Sequence, residues 1–199
     1  MRIWQILFIL AAFMVSACGE KESENIVSFG SEMSTTDIEK INNLDKASYA
    51  ELDGIIKDNS TIDPEGKYLM VIFGVNGCLY CDQLKKTIRD SEEIRDKLKQ
   101  DFAPYYVNFS YIKPHQFVTN LTPNPIVTTD LVRIYRVGPT PMIIFANQNA
   151  QTIFTHTGAI DEKQLLAMLD FVASQEWKGA QDEKEVNARL LNFLQERLQ

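Results

Sequence analysis

Three observations predict an α/β fold with a mixed central sheet. A bounded apolar run, Tyr68 to Val75, delivers Cys78-Leu79-Tyr80-Cys81 to the start of a helical pattern. A second apolar run, Met142 to Ala146, opens on a proline and continues into a further strand. Around and between these, strand-length apolar segments alternate with helix-period ones, the order that layers helices on both faces of a sheet.

The chain opens with a positive end, Met1-Arg2, and an apolar stretch from Ile3 to Ala17. That stretch is shorter than the roughly 20 apolar residues that span a bilayer, so it reads as an export signal. It ends in Val15-Ser16-Ala17-Cys18, which resembles the lipobox of bacterial lipoproteins. The resemblance implies cleavage before Cys18 and acyl chains, palmitate among them, on its sulfur and new amino group. Gly19 in the next position, rather than Asp, would permit sorting to an outer membrane where that rule applies. An ordinary cleaved signal or an uncleaved anchor are the other readings, and each keeps the domain outside the cytoplasm, in the periplasm. The expected organisation is a signal over residues 1–17, a tether over 18–35, a domain over 36–178 and an amphipathic helix over 179–199.

The tether, with Gly19-Glu-Lys-Glu-Ser-Glu-Asn25 at its start, is polar and charged. From Thr36 to Lys57, Ile38, Ile41, Leu44, Tyr49, Leu52, Ile55 and Ile56 suggest one or two helices, with Asp45 as the start of the second. Asn59 to Gly66 is a loop. The run from Tyr68 is rich in Val, Ile and Phe, as a strand buried on both faces requires. After the cysteines, Leu84 and Ile88 mark the inner face of a helix, and Asp90 or Ser91 starts another carrying Ile94 and Leu98. Ala103 to Phe109 reads as a strand, with Tyr105, Tyr106 and Phe109 filling core and hairpin positions. A loop from Ser110 to Thr128 is punctuated by Pro114, Pro123 and Pro125, and a short helix follows to Arg136. Met142–Ala146 and Gln151–His156 form a hairpin whose join, Asn147 to Ala150, uses the tolerance of Asn for left-handed backbone. Phe154 breaks the alternation of that second strand. Asp161-Glu-Lys-Gln164 has the form of a capping box opening a helix to about Gln175. Val186, Leu190, Leu191, Leu194 and Leu198 give the tail one apolar face, read as a helix docked on the domain.

The formal charge is −7. No basic stripe is present, so nucleic acid is not expected as a partner. Three cysteines are an odd count. If lipid consumes Cys18, Cys78 and Cys81 are the remaining pair. A bridge across three residues closes almost no loop and stabilises little, so chemistry is the better reason for it. At that spacing on one helix face the two thiols lie within bridging reach. The first also sits among unpaired N–H groups at the positive end of the helix dipole, where a thiolate is stabilised. Cys78 should therefore alkylate faster than Cys81.

The order of elements is similar to the thioredoxin fold, three layers of α/β/α with added N- and C-terminal helical segments. Val137-Gly-Pro-Thr140-Pro141-Met-Ile-Ile-Phe145 resembles the Val-x-x-Thr-Pro-x-x-x-Phe segment of that family, and Gly158 matches the glycine after its hairpin. The resemblance covers residues 68 to 175. It implies a cis peptide bond before Pro141, backbone groups of Thr140 that hold an extended substrate, Cys78 as nucleophile and Cys81 as resolving thiol. Proline suits a strand start because it donates nothing to the ladder, and only X–Pro bonds adopt cis cheaply. Three positions depart from typical thioredoxins: Gly77 replaces Trp, Leu79-Tyr80 replaces Gly-Pro, and Ile72 stands where a buried acid precedes the cysteines. Proton transfer at Cys81 must then use water, another side chain or substrate. Tyr80 and the extra helices look more like periplasmic members of sulfur-oxidation clusters and the disulfide isomerase group.

The expected function is a lipid-tethered thiol:disulfide oxidoreductase, acting as reductase or electron relay. Its expected partners are protein thiols and disulfides and a membrane-embedded electron donor, with no cofactor and no resident metal. Two other classes stay open at this point: a soft-metal (copper) protein using both thiols with Met142 or a histidine, and an assembly protein that only retains the fold. His115 and His156 read as ordinary surface or packed residues. Asn59, Asn108 and Asn120 carry sequons of little weight in a bacterial chain.

Overall fold

Ser34 caps the first helix, its hydroxyl accepting from the Asp37 N–H. The computed structural model describes residues 33–118 and 125–199; the expected signal, Cys18, Asn120, Pro123 and nearly all of the tether lie outside them. Helix α1 is Thr35–Ala47, followed by a 3-10 turn at Ala50–Leu52. Asp45 does not start a second helix, as the sequence suggested. It lies in the last turn of α1, buried, where its carboxylate takes a cation from across the fold.

Strand β1 (Thr61–Ile62) lies within the expected loop, and β2 (Tyr68–Gly74) follows, every residue buried. Helix α2 is Leu79–Asp90, α3 is Glu92–Asp101, and β3 is Phe102–Asn108. Ser91, one of the two starts read from the sequence, caps α3 through the Ile94 N–H, and Asp90 ends α2. The expected proline-punctuated loop contains two short strands, β4 (Pro114–Phe117) and β5 (Ile126–Val127), before helix α4 (Thr128–Ile134). Pairing, rather than propensity, makes these strands: β4 lies parallel to β1 and antiparallel to β5.

Strands β6 (Met142–Ala146) and β7 (Thr152–Thr157) form the expected hairpin. In its turn the left-handed residue is Ala150 (φ 61°), not an Asn; Asn147 instead accepts the N–H groups of Asn149 and Gln151 through its side chain. The register slips between Phe145 and Ala146. That irregularity lets neighbouring Ile153 and Phe154 both point inward, which explains the break in alternation. Helix α5 (Glu162–Ala173) carries the capping box in full, with Asp161 and Gln164 satisfying each other's N–H groups. Helix α6 (Glu183–Arg197) packs on α5, burying Val186 and Leu190 and leaving Leu191 and Leu198 exposed.

The central sheet has the order β3-β2-β6-β7, with β2 and β3 parallel and the other pairs antiparallel. Successive side chains of β2 alternate between two apolar layers. Tyr68, Met70 and Ile72 join Leu84, Ile88, Leu98 and Leu169, while Leu69, Val71 and Phe73 join Phe117, Ile126 and Leu131. Helices therefore cover one face, the short strands β1, β4 and β5 with α4 cover the other, and the strand that leads to the cysteines is locked between them.

A buried polar layer was not foreseen. Lys113 and Asp45, each 1% exposed, pair at 2.6 Å. Asn59 Nδ2 donates to the same carboxylate at 2.7 Å and to the Tyr106 carbonyl at 2.6 Å. The buried ring of His115 donates from Nδ1 to the Asn59 carbonyl (2.7 Å), and its Nε2 faces the Thr128 hydroxyl at 2.8 Å. Asn59 and Asn108 are sealed from solvent, so their sequons are inaccessible in the folded domain.

Candidate active site

β2 ends at Gly74, and the chain crosses Val75-Asn76-Gly77 to reach α2. Asn76 is fixed on three sides. Its N–H donates to Ser110 Oγ (2.9 Å), its Nδ2 to Tyr111 Oη (3.1 Å), and its Oδ1 accepts from Asn108 Nδ2 (2.7 Å). Gly77 then turns the chain at φ +73°, a region that L side chains rarely adopt, so a Trp at this position would strain the backbone.

Cys78 is the N-cap of α2, and its Sγ accepts the Cys81 N–H at 3.1 Å. The Thr140 hydroxyl donates to the same sulfur from the facing loop, at 3.3 Å. The two sulfurs are bonded at 2.09 Å, with Cα atoms 5.2 Å apart. The peptide Thr140–Pro141 is cis. Across the hairpin, Gly158 (φ 96°) donates its N–H to the Pro141 carbonyl at 2.8 Å, holding that loop against the sheet. Each residue singled out near the pair from the sequence is thus brought to one place.

The two sulfurs differ in surroundings. Cys78 is half-buried beside Leu79 and Tyr80, which are 68% and 51% exposed, whereas Cys81 is 1% exposed. An attacking disulfide or thiol therefore reaches Cys78 first. Two donors and the helix N-terminus favour negative charge on its sulfur when the bond is reduced. Burial works the other way at Cys81, disfavouring its thiolate.

Ile72, two residues before Gly74 on the same face of β2, is buried in the apolar cluster with Leu84 and Ile88 of α2. The residue paired with it on β3 is Tyr106, 2% exposed. A β-carbon added to Gly74 would lie 2.0 Å from the Tyr106 hydroxyl and 3.3 Å from Cys81 Sγ, so both occupy the space above this glycine. One turn along α2, the largely buried Lys85 pairs with Asp82 (3.0 Å) and Glu51 (3.3 Å) and donates to the Ser48 carbonyl.

The histidines lie apart from this chemistry. Both ring nitrogens of His115 are engaged in the polar layer, and His156 faces the Ala159 carbonyl at 3.4 Å. Among the described residues, no group of three His, Cys, Asp or Glu side chains is placed to hold a metal ion, and no helix is long and apolar enough to cross a membrane. Sequence reasoning missed Asn76, whose role depends on contacts with residues more than thirty positions away, and assigned Tyr106 to the core alone. The glycine ending an otherwise bulky strand was the available signal, since such a residue often marks a close approach.

Fold and site together define a thiol:disulfide oxidoreductase: a reversible cysteine pair at a helix mouth, faced by a cis-proline loop. The chain belongs to the thioredoxin-like domain family, whose model matches residues 57–173. It is similar to a thioredoxin-fold protein from Helicobacter pylori, with 34% identity over 77% of this chain and 98% of that one, and a TM-score of 0.73. A thioredoxin from Thermus thermophilus matches less closely, at 23% identity over 54% and 75% of the two chains, with a TM-score of 0.42. No curated protein sequence matches the chain.

Proposed function

We propose that this protein is a periplasmic oxidoreductase, tethered to a membrane through lipid on Cys18, that reduces or relays electrons to disulfides of protein substrates. The observation that carries the reading is the asymmetry of the pair: Cys78 half-buried under two hydrogen-bond donors, Cys81 sealed behind it. In the reducing direction the Cys78 thiolate attacks one sulfur of the substrate disulfide. That bond breaks, and the other substrate sulfur leaves as a thiolate and takes up a proton. Cys81 then loses its proton and attacks Cys78 Sγ. The mixed disulfide breaks, the second substrate sulfur departs and is protonated, and the Cys78–Cys81 bond stands in its place. Two electrons have moved from protein to substrate. A donor of thiol class, in the membrane, returns them by attack on the half-buried Cys78 sulfur. Thr140 and Pro141 hold the substrate chain alongside.

Trapping tests this. With Cys81→Ala, substrate proteins should accumulate on Cys78 as complexes that a reductant releases, and a further Cys78→Ala change should abolish them. Equal trapping with and without Cys78 would refute the assignment. Mass spectrometry of the mature protein should find acyl chains on Cys18, lost in Cys18→Ser.

A further inference from the structure

The resolving step poses a problem of charge. Cys81 must become a thiolate to attack Cys78, yet it is 1% exposed, and Ile72 offers neither a proton acceptor nor a hydrogen bond. A thiol buried in apolar surroundings resists ionisation unless a partner stabilises the anion. The side chain placed to do so belongs to β3.

Tyr106 pairs with Ile72 across the sheet and rises on the same face, under α2. Its ring is clamped by Tyr49, with centroids 5.6 Å apart, and by the Lys85 ammonium 5.9 Å from its centre. Clamping directs the hydroxyl over Gly74, into the space that a side chain at that position would fill and where Cys81 Sγ also lies. Any residue larger than glycine at position 74 would collide with that hydroxyl.

We infer that the Tyr106 hydroxyl is the hydrogen-bond donor that stabilises the Cys81 thiolate, both when Cys81 attacks the mixed disulfide and when it leaves during re-reduction. The role deepens the oxidoreductase reading and rests on it. The phenol keeps its proton throughout; the proton of Cys81 goes to water. Burial raises the Tyr106 pKa, and the charges of Asp82, Asp45 and Glu51 raise it further, so the group stays a donor at every pH at which the enzyme would work. The charged groups that act on the Tyr106 hydroxyl are Asp82 on α2, Asp45 on α1 and Glu51 on the 3-10 turn, with Lys85 and Tyr49 against its ring, and Thr140 donates to Cys78 at the mouth. Lys85 is held by Glu51, Asp82 and the Ser48 carbonyl, so the ammonium has its partners already.

Two measurements on the full chain decide the matter. In a Cys78→Ser background, where Cys81 is the only thiol of the pair, its ionisation is followed by thiolate absorbance against pH. Tyr106→Phe keeps the ring and removes the hydroxyl; it should raise the Cys81 pKa by about one unit, a tenfold smaller thiolate fraction near neutrality. With Cys78 restored, the same substitution should slow release of a preformed mixed disulfide about tenfold at neutral pH, with the initial attack by Cys78 unchanged. A Gly74→Ala variant, which displaces the hydroxyl without deleting it, should move both readouts the same way. An unchanged Cys81 titration with Tyr106→Phe overturns the inference. The titration needs no substrate, so it stands or falls separately from the oxidoreductase reading, which fails if Cys81→Ala traps substrate equally with and without Cys78.

Discussion

Polar chemistry breaks into this apolar fold at two places, and they are opposites. At the mouth of α2, Cys78 faces solvent with its sulfur ringed by the Cys81 N–H, the Thr140 hydroxyl and a helix N-terminus. Around the start of β4, Asp45, Lys113, His115 and Asn59 are each 1% exposed or less and engage one another through an ion pair and hydrogen bonds, while Asn59 Oδ1 and Lys113 Nζ make no hydrogen bond. The first region concentrates donors on one reactive atom and leaves it reachable. The second distributes donors and acceptors among themselves and closes over them. A buried charge network is thus weak ground for assigning activity; what distinguishes the working site is an atom with donors and an open approach.

The largest effect expected from either region is the loss of the nucleophile. Cys78→Ala should lower disulfide reduction by at least about a thousandfold, because the covalent step has no substitute. Circular dichroism should show the fold retained. The sealed layer should respond in the opposite manner. Lys113→Met leaves the Asp45 carboxylate buried without its cation and should cost about 3–5 kcal/mol in equilibrium unfolding. Alkylation of Cys78 in the molecules that remain folded should change little. If Lys113→Met instead altered Cys78 reactivity as strongly as stability, the two regions would be one coupled unit, connected through Asn108, which touches both Asp45 and Asn76.

A third change probes the open site alone. Thr140→Val keeps the branched shape and removes the hydroxyl that donates to Cys78 Sγ. The loss of one hydrogen bond, about 1 kcal/mol, should slow iodoacetamide alkylation of reduced Cys78 roughly fivefold near neutral pH. Equal rates for the two proteins would mean that the helix N-terminus and the Cys81 N–H suffice.

The contrast also explains what the sequence disclosed. Cys78, Cys81, Thr140 and Pro141 were legible because each belongs to a short local pattern: a strand running into a helix cap, and a proline opening a strand. Ser91 and the Asp161–Gln164 box were legible for the same reason, since a cap is satisfied within three residues. Asp45 was misread because an aspartate between apolar positions has the local look of a helix start, while its true partner, Lys113, lies beyond the whole central strand pair. Strands β1, β4 and β5 were missed because two to four residues carry too little periodicity, and only their mutual pairing makes them strands. Tyr106 was placed correctly in the core, but its hydroxyl's proximity to Cys81 depends on a register that no local pattern encodes.

The smallest expected effect sharpens the comparison by pH. Burial lowers the His115 pKa, an effect the Lys113 charge strengthens, although the hydrogen bond to the Asn59 carbonyl opposes it. The folded ring therefore stays neutral at pH values where the unfolded ring, with a pKa of about 6.5, has taken up a proton. Its contribution to stability is complete above that value and is lost as pH falls through the window down to the lower folded pKa. Unfolding free energy should decline below about pH 6.5. His156, whose pKa burial also lowers, titrates in the same direction. His115→Gln should flatten most of that decline and His156→Gln less of it, compared as slopes because His115→Gln also removes hydrogen bonds. The carboxylates enter at lower pH. Burial pulls Asp58 upward, but hydrogen bonds from Lys46 and Ser60 outweigh it and hold it at about 2. A decline that survived His115→Gln intact would place the acid-sensitive group outside the sealed layer, and the two regions would no longer divide into one that titrates for stability and one that titrates for chemistry.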